Sequence, residues 1–265
     1  MKTESTAYVS TTNACKLCKP LGACLAFRGI EGAVPFLHGS QGCATYMRRY
    51  LISHFREPMD IASSSLGEKH AIYGGGANLK QGLANVMNKY GAKLIGVAST
   101  CLTETIGDDV PRLVQEFRQE KAGLDKLGET PVVTVSTPSY SGTHMEGFHA
   151  AVKAVVEQVA QGGDPTEAVN LLPGFVSPAD LRHLKEILDD FGLRAILLPD
   201  LSDTLDGPIE LDYEKIPAGG TPLVDILAMG RSRATLEFGR TLLGSNTAGQ
   251  VLADKFAIPL QQLGM

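Results

Sequence analysis

Two periodicities alternate along the chain. Residues 33–37 (AVPFL) and 93–99 (KLIGVAS) are short, nearly unbroken apolar runs of the kind parallel sheets bury on both faces. Residues 131–136 (PVVTVS) read as a third strand. Between these runs the apolar positions recur at helical spacing. The spacing predicts helices over 41–55, over 78–90 with Leu79, Leu83, Val86 and Met87 on one face, and over 108–121. Gly74, Gly75 and Gly76 break the chain, and Asn78 is the expected N-cap after them. A helix over 144–160 closes this half. The stretch before residue 33 carries no clear period and reads as an irregular arm.

Residues 161–165 (QGGDP) are polar and rich in Gly and Pro, which marks a linker. Beyond it the alternation restarts with a strand over 169–172. Ser177 and Pro178 supply an N-cap and a first-turn proline for a helix with Leu181, Leu184, Ile187, Leu188 and Phe191 at core spacing, stopping at Gly192. Strands over 194–198 and 234–238 and helices over 223–231 and 246–256 follow. Alternating β and α units of this length imply parallel sheets flanked by helices. The fold class is therefore α/β, with two Rossmann-like domains over residues 1–165 and 166–265. Residues 257–265 end as one more strand finishes, with no closing helix. The second domain is expected to be incomplete, and the chain a fragment of a longer one.

Composition narrows the partners. Of 265 residues, 43% are hydrophobic and 20% charged, enough to fill a sizeable core. The balance of 24 Lys+Arg against 29 Asp+Glu gives −5 with no basic block, so nucleic acid is not an expected partner. No apolar run reaches eighteen residues, so no membrane span is expected. The opening MKTEST lacks the apolar core of a signal peptide, and the expected location is the cytoplasm.

All five cysteines, Cys15, Cys18, Cys24, Cys43 and Cys101, lie in the first 101 residues. Open α/β sheets gather ligands at the carboxyl ends of their strands. Cys43 follows the strand over 33–37 by the short loop HGSQGC, and Cys101 directly follows the strand over 93–99. Both also stand near a helix start, where a thiolate is favoured. Cys18, on the arm, could fold over the same edge. Three convergent thiolates without a fourth ligand suit an iron–sulfur cluster completed by another chain. Structural zinc wants a closed set of four, and Cys15 with Cys18 is the one CxxC pair. The competing reading makes Cys24 and Cys101 buried small hydrophobes and Cys15 incidental.

Other groups give weaker signals. The three glycines at 74–76 read as a helix-entry turn, because the phosphate-loop spacing is absent. Glu104, Asp108 and Asp109 could form an acidic site, although carboxylates at a helix start are explained by the dipole. Arg48 and Arg49 read as a solvated face or a partner contact.

The segments CKPLGA (18–23), HGSQGC (38–43), SHFREP (53–58) and TCLTETIGDD (100–109) together resemble the β-type subunits of the nitrogenase component 1 family. The spacings of 25 residues from Cys18 to Cys43 and 58 from Cys43 to Cys101 are also similar to that family's three β-chain cluster cysteines. The wording CKLCKPLGA (15–23) and DIASSSL (60–66) looks more like the family's cofactor-assembly scaffold chains than like its catalytic β chains. That resemblance implies a subunit of a scaffold complex that matures the iron–molybdenum cofactor, without turnover of its own. It would hold an iron–sulfur cluster, [4Fe-4S] or P-cluster-like, at a seam between unlike subunits, while the complex holds the cofactor precursor. Cys43 is the matching ligand, with Cys18 and Cys101 beside it; His38, Gly39 and Gly42 are expected around the cluster. The implied partners are an α-like NifE subunit in a heterotetramer, and transiently the nitrogenase reductase component and the precursor donor NifB. The alternative is a β subunit of a nitrogenase or nitrogenase-like reductase, relaying electrons through a P-cluster on all three cysteines. Two departures bear on this. Such scaffold chains can contribute the Cys43 match alone, whereas this one keeps Cys18 and Cys101. Family chains have three Rossmann-like domains, whereas this one stops within the second.

Overall fold

A computed structural model describes residues 17–121, 130–207, 215–239 and 246–264; Cys15 and Met265 lie outside the described residues. Two four-stranded sheets, parallel throughout, form the frame. The first contains β1 (Ala33–His38), β2 (Ala62–Ser63), β3 (Leu94–Ser99) and β4 (Val132–Val135) in the order β2-β1-β3-β4. The second contains β5 (Val169–Leu172), β6 (Ala195–Leu197), β7 (Ala234–Phe238) and β8 (Leu260–Leu263) in the order β6-β5-β7-β8. One strand order thus occurs twice. Every residue of β1 and β3 is buried, as their unbroken apolar runs require. The buried core runs continuously from the first sheet into the second.

The helices are α1 (Lys19–Arg28), α2 (Gln41–Phe55), α3 (His70–Tyr73), α4 (Gly76–Tyr90), α5 (Cys101–Ile106), α6 (Val110–Lys121) and α7 (His144–Val159) around the first sheet. Around the second are α8 (Pro178–Asp190), α9 (Leu223–Ala228) and α10 (Ala248–Phe256). Among the described residues no helix is long and apolar enough to cross a membrane.

Four sequence expectations change. The irregular arm is in fact helix α1. Pro20 to Arg28 are all buried, so no polar face exists to reveal a helical period. It is sealed against α7 by two glycines: a Cβ on Gly22 would stand 1.7 Å from the His144 carbonyl oxygen, and one on Gly147 1.8 Å from that of Lys19. Helix α4 starts two residues early, at Gly76 with Gly75 as its cap, and Asn78 instead donates its side-chain amide to the Ser64 carbonyl at 3.0 Å. A short helix, α5, precedes the helix expected over 108–121 and begins at Cys101 itself. In α8, Leu181 and Leu188 are buried, but Ile187 and Phe191 are 37% and 75% exposed. That helix carries more apolar positions than its inner face can cover.

Strand β2 and helix α3 have no counterpart among the expected elements, and most of the others fall where the pattern puts them. Helix α2 spans the predicted residues, α4 buries Leu79, Leu83, Val86 and Met87, and Ser177 caps α8 through a capping box with Asp180.

Candidate functional site at the carboxyl edge of the first sheet

Three of the helices that begin at this edge carry a cysteine at or within one turn of their start. Cys18 is the N-cap of α1. Cys43 lies in the first turn of α2, whose N-cap Ser40 accepts the Gly42 N–H at 3.2 Å. Cys101 is the first residue of α5, after the N-cap Thr100. The free backbone N–H groups and dipole of a helix start favour negative charge there, although at Cys43 burial outweighs that help. Cys18 is anchored by an antiparallel bridge to Thr143, and the His144 N–H donates to the Leu17 carbonyl at 3.0 Å. Helix α1, absent from the sequence reading, is what brings this third thiol to the edge.

Cys43 is half-buried and its pKa is raised, first by burial and then by charge on the neighbouring Cys18 and Cys101 sulfurs. Its own backbone N–H opposes that shift. The Ser139 N–H donates to Cys101 Sγ at 3.2 Å. Cys24 differs in kind: it is fully buried, and burial alone pushes its thiol far above the usual range. Cys18 and Cys101 are exposed. The competing expectation that Cys101 is a buried hydrophobe therefore fails, while for Cys24 it holds.

Among the described residues, no group of three His, Cys, Asp or Glu side chains is placed to hold one metal ion. Cys18, Cys43 and Cys101 nonetheless stand at helix starts on one sheet edge. Neighbouring thiols that do not close on a single ion suit a group of several metal atoms, each thiolate taking a different one. The donor chemistry fits iron–sulfur and does not fit a closed zinc site.

The loop carrying Cys43 is held from behind. His38, at the end of β1, is fully buried with both ring nitrogens engaged: Nδ1 lies 2.9 Å from Ser64 Oγ and Nε2 3.0 Å from Asp108 Oδ2. Burial lowers the His38 pKa, against the opposing pull of Asp108. The neutral ring accordingly donates from Nε2 to the carboxylate and accepts the Ser64 hydroxyl at Nδ1, a tautomer assigned from these partners. Ser64 Oγ also accepts the Gly39 N–H at 2.9 Å. Asp108 accepts the Gly75 N–H at 3.0 Å as well. The row Ser64–His38–Asp108 has the order of a hydrolytic triad, but Ser64 and His38 are buried, so it works as a clamp.

Gly39 is needed for packing: a Cβ there would stand 2.2 Å from Thr100 Oγ1, in the turn before Cys101. At Gly42 the nearest atom to a Cβ is Ser40 Oγ at 3.5 Å, so this residue leaves the start of α2 uncovered. The candidate acidic site dissolves into separate roles. Asp108 serves the clamp, and Asp109 accepts the Arg112 N–H at 3.1 Å. Glu104 accepts the hydroxyls of Ser99 and Ser136, joining the ends of β3 and β4. Arg48 is turned back onto the Met59 carbonyl and Asp60, both at 2.8 Å. Sequence reasoning missed the roles of Ser64 and Ser139: Ser64 lies in the segment 60–66 but its approach to His38 leaves no local trace, and Ser139 lies in no motif.

Residues 18–265 match the family of nitrogenase component 1 type oxidoreductases, and the chain belongs to that family. It is 37% identical, over 95% of its length and 54% of the relative's, to the nitrogenase molybdenum-iron protein beta chain of Clostridium pasteurianum. It is 36% identical, over 94% of its length and 55% of the relative's, to the nitrogenase iron-molybdenum cofactor biosynthesis protein NifN of a Nostoc species. A solved structure, nitrogenase Cp1 at pH 6.5, superposes with a TM-score of 0.88 at 36% identity, covering 94% of this chain and 54% of that one. The chain thus spans about half the length of the curated relatives it matches, and its likeness to the two kinds is nearly equal.

Proposed function

We propose that this chain is the β-type subunit of a component 1-like complex and holds an iron–sulfur cluster at a seam with an α-like subunit. The observation that carries the reading is the placement of Cys18, Cys43 and Cys101 at three helix starts on one sheet edge. Cys43, the half-buried one, would be the principal ligand. Bound there, the cluster would supply one-electron chemistry. The chain's own residues hold and orient. The helix starts stabilise the thiolates, the Ser139 N–H lowers charge on the Cys101 sulfur, and the His38 clamp fixes the loop that presents Cys43.

Within that role the chain serves as the scaffold subunit on which the iron–molybdenum cofactor is matured, with a NifE-type partner and transient contact with the precursor donor NifB and the reductase component. The wording of residues 15–23 and 60–66 supports this. A second reading, an electron-relaying β subunit with a P-cluster-like group, is favoured by one observation: all three cysteines are kept together. Transfer of a matured cofactor from the complex to cofactor-free nitrogenase supports the scaffold. Acetylene reduction by the complex at nitrogenase-like rates supports the relay. Iron lost from Cys43→Ala alone fits the scaffold, whereas iron lost equally from all three cysteine variants fits the relay.

A further inference from the structure

In each sheet the strand order reverses once, between β1 and β3 in the first and between β5 and β7 in the second. At such a reversal the connections leave in opposite directions and open a crevice at the carboxyl ends of the strands. The first crevice carries the thiols. The second contains a cavity of about 330 Å³, reached by Leu172 and Gly174 at the end of β5 and by Glu237 and Phe238 at the end of β7. That volume lies in the range of small-molecule sites.

This cavity is chemically unlike the first. No cysteine occurs beyond Cys101, and among the described residues no cluster of side chains there could hold a metal ion. Its walls are largely apolar, with Val152, Leu172, Leu198 and Phe238 among them. His149, from α7, lines it with no hydrogen-bond partner for its ring among the described residues, and its recorded ring contact is edge-on to Phe148 at 5.5 Å. Burial keeps His149 neutral, although the carboxylates of Glu237 and Glu146 both act on it. Glu237 is fixed in place: it accepts the Gly249 N–H at 3.0 Å, the Thr247 hydroxyl at 2.7 Å and the Gln262 amide at 3.0 Å. Among the described residues the lining sets one cation, Lys153, which faces Glu157 at 3.4 Å, against these two carboxylates, and Lys19 acts on Glu146 from outside it. The described lining therefore carries two carboxylates to one cation, beside an apolar wall and a free imidazole.

We propose that this second crevice binds a small organic cation, an ammonium group on an apolar body, with its N–H groups directed at His149, Glu237 and Glu146 and its body against Val152 and Phe238. The imidazole accepts one N–H, the carboxylates balance the charge, and the apolar wall covers the rest. An anion of the same shape meets the same wall but the wrong charge.

The test uses the purified 265-residue chain, titrated by calorimetry and ligand-observed NMR with 2-phenylethylammonium and, separately, 2-phenylacetate. One ammonium should bind per chain, with the acetate at least about tenfold weaker. His149→Leu removes the acceptor and Ala150→Phe fills the cavity, and each should weaken the ammonium about tenfold or more. Glu146 accepts the Thr143 N–H at 2.9 Å as part of the α7 cap; Glu146→Gln keeps an acceptor there and loses the charge, which should weaken the ammonium and leave the acetate unchanged or tighter. Circular dichroism and the melting temperature establish that each variant is folded, and Glu146→Gln, on an exposed residue, stands in for any that is not. Equal binding of the two ions, no binding of the ammonium up to about 10 mM, or undiminished binding by folded Ala150→Phe would overturn the proposal.

Discussion

Asp108 Oδ2 stands 3.0 Å from His38 Nε2, and this contact joins the end of β1 to the turn that follows α5. The same carboxylate receives the Gly75 N–H, so three loops meet on one acceptor. Asp108→Ala would leave a buried imidazole N–H and a backbone N–H without partners. A loss of about 2–3 kcal/mol is expected, read from urea denaturation. Asp108→Asn keeps an acceptor and should cost less than half as much. Equal losses in the two variants would mean that the carboxylate is not what closes the clamp.

Three histidines give the chain a defined acid sensitivity. Burial holds His38, His144 and His149 below the ordinary 6.5, so each is neutral in the folded state. As pH falls through 6.5 the unfolded chain takes up protons that the folded chain refuses. The associated stability is therefore complete above about pH 6.5 and is lost as pH falls toward the folded pKa values. Denaturation midpoints should be flat from pH 7 to 8 and fall below pH 6.5, with a smaller fall in His38→Gln. A midpoint that rises on acidification would reverse the assignment.

The two loop glycines should separate by their surroundings. Gly39→Ala forces a Cβ toward Thr100 Oγ1 at 2.2 Å and displaces the loops of Cys43 and Cys101 together. It should cost about 1–3 kcal/mol and lower iron uptake. Gly42→Ala meets nothing closer than 3.5 Å, so its stability should change by less than about 0.5 kcal/mol. Thermal melts and iron assays on the two variants check this.

Thiol reactivity should sort the cysteines of the described region. Cys18 and Cys101 are exposed and should alkylate first, Cys43 more slowly, and Cys24 only on unfolding. Peptide mass mapping after timed iodoacetamide treatment reads the order. Early labelling of Cys24 would place it outside the core.

Much of this edge was legible in the sequence, and the illegible parts share a physical cause. The unbroken apolar runs of β1 and β3 and the loop lengths after them place Cys43 and Cys101 at one edge without any structure. Cys18 was harder. Its helix is buried all round, so Pro20, Gly22 and the apolar residues between and after them give no amphipathic stripe. Strand β2 has two residues, too few to show a period. The clamp of Ser64, His38 and Asp108 joins residues 26 and 70 positions apart, and sequence spacing holds no record of that approach. His38 appears in the HGSQGC segment for its loop position, but its ring is committed to Ser64 and Asp108.

Cys43 is the proposed centre of the cluster-holding thiol face. The direct measurement is iron and acid-labile sulfide in the chain purified without oxygen from cells that also express an α-like partner, for wild type, Cys43→Ala and Cys24→Ala. Wild type and Cys24→Ala should carry iron and sulfide in similar amounts, and Cys43→Ala should carry little of either. Iron retained in full by Cys43→Ala, or lost equally from Cys24→Ala, would contradict the account.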